Sequence, residues 1–502
     1  MTLGQGIRGG LMVCGTTSDA GKSHMVTGLC RLLARRGVSV APFKAQNMAL
    51  NSYVTPSGHE IGRAQGVQAL AAGVEPEVAM NPILLKPTGE RTSQVVVRGR
   101  PLGHFDAVAY HQMKPELLTT VLDALADLRA RFDVVICEGA GSPAEINLLD
   151  HDIVNLRVAH RAGLPAIVVG DIDRGGVFAA LYGTVALLPD ELRPSVRGFV
   201  INKFRGDPAL LGSGLADLQS RSGVPTLGVI PWLNDVALDA EDSLALDGRR
   251  PRPQAAAIAE TLDVAVIRLP RISNFTDLDA LALEPGVEVR FVTTAGAIGD
   301  PDLIILPGTK TTVADLEWLR GTGLDRAIAR TDDHTTILGV CGGYQMMGAT
   351  IEDEIESGRG AVAGLGWLDV TTTFGADKIT RQRRGRAMGE RVTGYEIHHG
   401  VTAARAHSSA WIQLDDLYAS AEEGATKGRY LGTSLHGLME SDGVRATFLQ
   451  QVASRRGRKW VPAGVSFAAA REAQWDRLAD ALESHLDLVA LERLITTGAP
   501  AE

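Results

Sequence analysis

Gly15-Thr16-Thr17-Ser18-Asp19-Ala20-Gly21-Lys22-Ser23 stands directly after the apolar run Leu11–Cys14. It leads straight into Ser23–Arg36, where Val26, Leu29, Leu32 and Leu33 recur at helical spacing. Strand, glycine-bearing turn, helix is the context a phosphate cradle requires. Backbone N–H groups at the helix N-terminus converge on the anion, and the helix dipole adds positive potential. In that reading residues 15–23 wrap the phosphates of ATP, Lys22 reaches the β/γ-phosphates and the Ser23 hydroxyl faces Mg²⁺. The strict spacing is missed by one residue: Gly15 stands one place early and Thr16 fills the expected position. A generic Gly-rich strand-to-helix turn is the plainer alternative.

Outward from this turn, short apolar runs alternate with helical stretches. Leu11–Cys14, Val38–Phe43, Val134–Cys137, Ala166–Gly170, Gly198–Asn202 and Thr226–Ile230 each read as buried strands, and continuous strands alternating with helices mean a parallel sheet covered on both faces. Asp239–Gln254 is polar and ends in Arg249-Arg250-Pro251-Arg252-Pro253, a linker composition. A second α/β pattern restarts with Asp263–Leu269, Val287–Thr293, Leu303–Leu306 and Thr336–Val340. The expected architecture is α/β with two domains: residues 1–238 and 263–445, joined by a linker over 239–262. The tail, 446–502, is expected to add helices, with Phe467–Ile495 packed on the second domain.

The chain has 502 residues, too many for one compact core, with 45% hydrophobic and 22% charged residues, an ordinary globular profile. A net charge of −9 speaks against a nucleic-acid partner; the basic run Arg381–Arg386 reads as a solvated loop. No apolar run reaches membrane-span or signal-peptide length, and Cys14, Cys30, Cys137 and Cys341 form neither a zinc pattern nor a disulfide framework, so the cytoplasm is the expected setting. A homo-oligomer is compatible with this composition.

Two further strand ends carry polar chemistry. Phe132–Cys137 ends in Glu138-Gly139-Ala140-Gly141, where a P-loop protein needs a second Mg²⁺ contact. Asn202-Lys203 ends another strand, and the Asn202 amide suits adenine recognition as well as it suits a simple strand terminus. In the second half, Thr336–Val340 leads into Cys341-Gly342-Gly343-Tyr344-Gln345. A nucleophile on such a turn needs glycines beside it, because the backbone is tight and its N–H groups must approach an oxyanion. Helix N-termini also favour thiolate over thiol. Gly308, in Leu306-Pro307-Gly308-Thr309, is a candidate oxyanion donor with Gly342 and Gly343, and Gln345 a candidate substrate contact. For the base, His436 competes with His398 and His399, and spacing does not choose among them.

The stretched turn ending Gly21-Lys22-Ser23, with Glu138-Gly139-Ala140-Gly141, resembles the dethiobiotin synthetase type of P-loop enzyme, which activates a carboxyl group by phosphorylation. That resemblance puts Lys44 on phosphate or substrate and makes Glu60 a further metal candidate. Residues 263–445 resemble the class I glutamine amidotransferase domain, which implies Cys341 as nucleophile and His436 as base. Two places after His436 the family pattern has a glutamate; here Leu438 stands there and Glu440 is the nearest acid, which suits a Cys–His pair whose imidazole is oriented by water or another acceptor.

The combination is similar to the cobyrinate amidase family, on the tracts Phe43–Met48, Glu60–Gln65, Asp171–Gly176 and Tyr395–His398. The resemblance implies ATP-dependent amidation of peripheral carboxylates (b, d, e and g) of a corrinoid a,c-diamide, with glutamine as nitrogen donor and an internal ammonia path. It also implies Mg²⁺ with ATP, no tightly bound organic cofactor, and substrate contacts from Gln46, Asn47, Tyr395 and His398. Asp171, Asp173 and Arg174 end a parallel strand, where ligands gather in open sheets; there they are expected to hold the corrinoid or relay between sites, and a simple turn rich in Asp and Gly is the plainer alternative. A sibling that amidates the a and c carboxylates is spoken against by Lys44-Ala45-Gln46-Asn47. A P-loop switch protein would have no use for a cysteine elbow.

Overall fold

The computed structural model describes residues 4, 6–234, 236, 260–404, 407–415 and 421–499. Nearly all of the expected linker, residues 239–259, lies outside the described residues. The chain divides into two compact units. One comprises the N-terminus to Ala49, His59–Ala237 and Arg471 onward; the other comprises Leu50–Gly58 and Leu238–Ala470.

In the first unit, all six runs read as strands enter one parallel sheet among the described residues. Its order is Thr226–Pro231, Val196–Phe204, Ala166–Asp171, Gly9–Gly15, Val134–Glu138, Val40–Phe43. Gly9–Gly15 is central, so its C-terminal turn is flanked by the ends of Ala166–Asp171 and Val134–Glu138. Every residue from Val134 to Glu138 and from Ala166 to Asp171 is buried, the signature of strands covered on both faces. A small second sheet of Gln46–Met48, Ile83–Pro87, Thr92–Val97 and Arg100–Asp106, largely antiparallel, was not foreseen from the sequence.

The tail corrects the sequence reading. It does form two helices, Phe467–His485 and Leu488–Thr497, but from Arg471 onward they belong to the first unit. Asp476, Asp480 and Glu483 follow one another at helical spacing and meet Arg31, Arg35 and Arg36 of the helix after the phosphate turn, with closest approaches of 2.8, 2.7 and 2.6 Å. Such exposed pairs set register more than stability. Burial of Leu482, Leu486, Leu491 and Ile495 against Val26, Leu29 and Leu33 contributes more. Gly28 is a glycine because a Cβ there would sit 2.7 Å from Leu482 Cδ1.

In the second unit, strands Val287–Val292, Leu262–Ile267, Leu303–Leu306, Thr336–Val340 and Tyr430–Thr433 run parallel in that order, and Ala425–Lys427 closes the edge antiparallel. A second sheet is dominated by the hairpin Val370–Ala387 and Glu390–Ala404, turned at Met388 (φ 53°) and Gly389 (φ 84°). Arg381–Arg386 is therefore strand and not the expected loop. Arg381 stands opposite Glu396, and the cross-strand pairing overrides the charge of the run. The segment Leu50–Gly58, expected in the first domain, also joins this unit. Ser52 N donates to Asn274 Oδ1 (2.9 Å) and Phe275 N donates to Asn51 Oδ1 (3.1 Å). No helix among the described residues is long and apolar enough to cross a membrane.

Candidate active sites

In the first unit the turn Gly15–Ser23 is anchored by Thr16 N donating to Val169 O (2.9 Å) on the neighbouring strand. Gly21 takes φ 98°, and a Cβ there would overlap Asn202 Nδ2, so the helix Lys22–Arg35 can begin only after a glycine. Lys22 is buried and folds over its own loop, donating to Thr17 O (2.9 Å), Ser18 O (3.1 Å) and Gly141 O (3.3 Å). These carbonyls hold the ammonium where the phosphates are expected. Asn202 donates to Ala20 O (2.9 Å), so at least one amide hydrogen supports the loop.

Glu138 is the hub. Its carboxylate, 1% exposed, accepts from Ser23 Oγ (2.9 Å), Lys44 Nζ (2.9 Å) and Gln68 Nε2 (2.6 Å). Ser23, Lys44 and Glu138, singled out from three different segments, thus converge. Gln68 was missed. Asn155 was missed too: its side chain brackets Ala140 on both sides, accepting from Ala140 N and donating to Ala140 O, and shapes the turn after Glu138. Glu60, the further metal candidate, is buried in an ion pair with Lys86 (2.5 Å).

Asp171 pairs with Lys203 (2.7 Å), Lys203 donates to Asp19 O (2.6 Å), and Arg174 pairs with Asp19 Oδ2 (2.6 Å). These residues brace the phosphate turn. Asp173 pairs with Arg205 (2.8 Å), whose guanidinium lies 3.8 Å from the Trp232 ring centroid. Asn47 is buried and donates to Gln65 Oε1 (3.0 Å), and Gln46 accepts from the Tyr110 hydroxyl.

In the second unit Cys341 adopts φ 50°, ψ −110°, an unfavourable backbone for a residue with a Cβ, on the turn between Thr336–Val340 and the helix Gly342–Met347. The turn is held by Cys341 N donating to Thr433 O (2.7 Å). A Cβ on Gly343 would overlap the Leu306 carbonyl oxygen, and one on Gly342 would lie 2.6 Å from Thr309 Cγ2. Both glycines let the elbow press against Leu306–Thr309, which brings Gly308 into the same corner. Gln345 accepts from Thr312 Oγ1 (2.9 Å).

The structure separates the three histidines. His398 lies beside Glu396 (3.7 Å) and His399 beside Gly375 O (3.3 Å). His436 is fully buried, and Gly308 comes so close that a Cβ there would lie 3.0 Å from His436 Cε1. Tyr395 stacks on the His436 ring (centroids 5.3 Å apart) and exchanges two backbone hydrogen bonds with it. His436 Nδ1 faces Asp277 Oδ2 at 2.7 Å, while Asp277 Oδ1 accepts from Gly437 N (2.9 Å). An acid therefore faces the histidine as the acceptor left open by the sequence, and it is neither Leu438's position nor Glu440.

Burial alone would lower the basicity of His436. The Asp277 carboxylate and the neighbouring Cys341 outweigh it and raise the pKa to about 10. The ring is accordingly an imidazolium at neutral pH, the partner a thiolate requires. Burial pushes the other three thiols the opposite way from reactivity: Cys137 up to about 12, Cys14 and Cys30 higher still.

Residues 11–245 match the family of CobQ/CobB/MinD/ParA nucleotide binding domains, and residues 263–444 match the CobB/CobQ-like glutamine amidotransferase domain. The chain is 55% identical over 498 residues to the cobyric acid synthase of Rhodococcus jostii (strain RHA1), covering 98% of this chain and 96% of that one. It is 54% identical over 501 residues to the cobyric acid synthase of Streptomyces coelicolor, covering 98% of both chains. That of Saccharopolyspora erythraea is 55% identical over 496 residues, covering 98% of this chain and 95% of its own.

Proposed function

The chain belongs to the cobyric acid synthase family, and on that footing we propose how its residues divide the work of a glutamine-dependent amidoligase in cobalamin biosynthesis. The Cys341 thiolate attacks the amide carbon of glutamine. Gly308 and Gly342 supply oxyanion N–H groups, and the His436 imidazolium protonates the departing ammonia. His436 then takes a proton from water, which clears the glutamyl thioester as glutamate.

In the nucleotide-binding unit, residues 15–23 cradle ATP and Lys22 moves from its loop carbonyls onto the phosphates. The γ-phosphoryl passes to a carboxylate of the corrinoid. Ammonia attacks the acyl phosphate, the carbonyl–oxygen bond breaks and phosphate leaves. Activation is required because an ionised carboxylate is a poor electrophile. Ser23 and Glu138 offer hard oxygen donors 2.9 Å apart, a set that suits Mg²⁺, which when bound offsets charge on the β- and γ-phosphates. The acceptors in this reading are the b, d, e and g carboxylates of adenosylcobyrinic acid a,c-diamide. Asp171 and Arg174 serve the phosphate turn, and Tyr395 the histidine.

The observation that carries the reading is one chain holding both constellations: Ser23, Lys44 and Gln68 on Glu138, and the Cys341 elbow beside His436. Cys341→Ala tests it. The variant loses glutamine-dependent synthesis, and ammonium salt restores it, read by mass as a loss of about 1 Da per acid-to-amide exchange (an O–H replaced by N–H₂). A folded variant that stays inactive with ammonia refutes the two-site scheme.

A further inference from the structure

Asp277 lies far in sequence from both glutaminase residues, in Ser273-Asn274-Phe275-Thr276-Asp277. The loop is rigidly built. Asn274 takes a left-handed conformation (φ 49°), Phe275–Leu278 forms a 3₁₀ turn, and Phe275, Thr276 and Leu278 are buried. Ser273 N donates to Gly308 O (2.8 Å), tying the loop to the expected oxyanion corner. The two hydrogen bonds that Asn51 and Ser52 make with Phe275 and Asn274 clamp its other side.

We propose that Asp277 is the positioning residue of the glutaminase: its two carboxylate oxygens hold His436 Nδ1 and Gly437 N, so that Nε2 is turned to Cys341. This rests on the glutaminase reading above and deepens it. Three observations favour Asp277 over the other acids. Its oxygens make one bond each, to the ring and to the backbone beside it, a two-point hold that fixes ring rotation. Glu423 is committed elsewhere, to Thr433 Oγ1 and Ser434 N at 2.6 Å each, and Glu396 is committed to Arg381 and Arg383. Glu440 follows the Gly437 turn, while the single Nδ1 position it would need is taken by Asp277. Tyr395 stacks on the ring's face, and Asp277 and Cys341 are the groups that stabilise the imidazolium.

Asparagine cannot replace this carboxylate. With Oδ1 on His436, its NH₂ meets the Gly437 N–H; flipped, its NH₂ faces Nδ1 and selects the wrong tautomer. Asp277→Asn should therefore lower glutaminase kcat on the order of 10²-fold while KM changes less than about threefold. The alkaline limb of the kcat/KM profile, where the imidazolium loses its proton, should move to lower pH by about one unit or more. Asp277→Glu keeps the charge and should recover about tenfold of the loss. Ammonia-dependent synthesis, measured on the same preparations, should be unchanged. An Asp277→Asn enzyme within about threefold of wild type with an unmoved alkaline limb overturns the proposal. So does a parallel fall of glutamine- and ammonia-dependent synthesis, which would mark a merely structural role. The parent reading fails separately, if Cys341→Ala still hydrolyses glutamine.

Discussion

Replacing Glu138 by glutamine removes one charge from a carboxylate that three donors share. Ser23, Lys44 and Gln68 approach it at 2.9, 2.9 and 2.6 Å, and Lys44, with a side chain 6% exposed, keeps its ammonium but loses this carboxylate. A glutamine can accept from one side only; its NH₂ must point at another donor. Breaking a buried pair from one side costs about 3–5 kcal/mol, a large share of a typical stability of roughly 5–15 kcal/mol. With a urea slope of about 3 kcal/mol/M, the unfolding midpoint of the nucleotide-binding unit should fall by about 1–1.7 M. Lys44→Met should cost less, about 1–3 kcal/mol, because Ser23 and Gln68 still donate to the carboxylate. The double variant should show a coupling of about 2 kcal/mol, since the ammonium facing the lost charge is gone. None of the three variants should make amide product from ATP and ammonia, whereas glutaminase activity reports that the other unit is intact. Urea titrations of the four proteins, with product measured by mass, decide the matter. If Glu138→Gln is within about 1 kcal/mol of wild type, or if Lys44→Met is fully additive with it, Glu138 is not a charge hub.

Two other predictions concern single positions. Gly343→Ala places a methyl on the Leu306 carbonyl oxygen and lifts the helix start away from Leu306–Thr309, so glutamine-dependent synthesis should fall by about 10²-fold or more while ammonia-dependent synthesis persists; equal loss of both would refute it. Burial would raise the pKa of Glu396, but His398 and Arg381 overcome it and hold the carboxyl down at about 2, against 4.5 for the free group. Its stabilising contribution is therefore complete above about pH 4.5 and disappears as pH falls toward 2, worth about 3 kcal/mol over that window. In urea titrations from about pH 5 to about pH 2.5, Glu396→Gln should lack this part of the acid sensitivity, and an unchanged slope would refute the assignment.

The parallel sheets were legible because strands buried on both faces must be apolar throughout, so each run announces itself without its neighbours. Gly9–Gly15 and Thr336–Val340 are of this kind, and each leads into a turn of candidate site residues. The long hairpin was not legible. Its strand Val370–Ala387 has no buried position from 375 to 384, carries four arginines, and owes its long middle to pairing with Glu390–Ala404. Helix Phe467–His485 was visible as a helix but not as a partner of Lys22–Arg35. An acidic face at helical spacing reads as solvated until the basic face it meets is known.

The same distinction governs the sites. Lys22, Ser23 and Cys341 are local: turn, glycine and functional atom lie within a few residues, so spacing constrains geometry. Asp277 and Gln68 act through contacts between distant segments, and a carboxylate 159 residues before its histidine leaves no periodicity to detect. The class I pattern that residues 263–445 resemble has a glutamate two residues after the histidine. Here the position belongs to Leu438, buried in the apolar core with Leu278, Leu281 and Leu435. An acid at 438 would put a charge among leucines. The chain instead brings Asp277 up from the 3₁₀ turn beside that core, where one oxygen meets the ring and the other the Gly437 N–H. On the proposed glutaminase reading, the carboxylate that holds the base comes from a different segment of the chain, and its task of orienting the imidazole is unchanged.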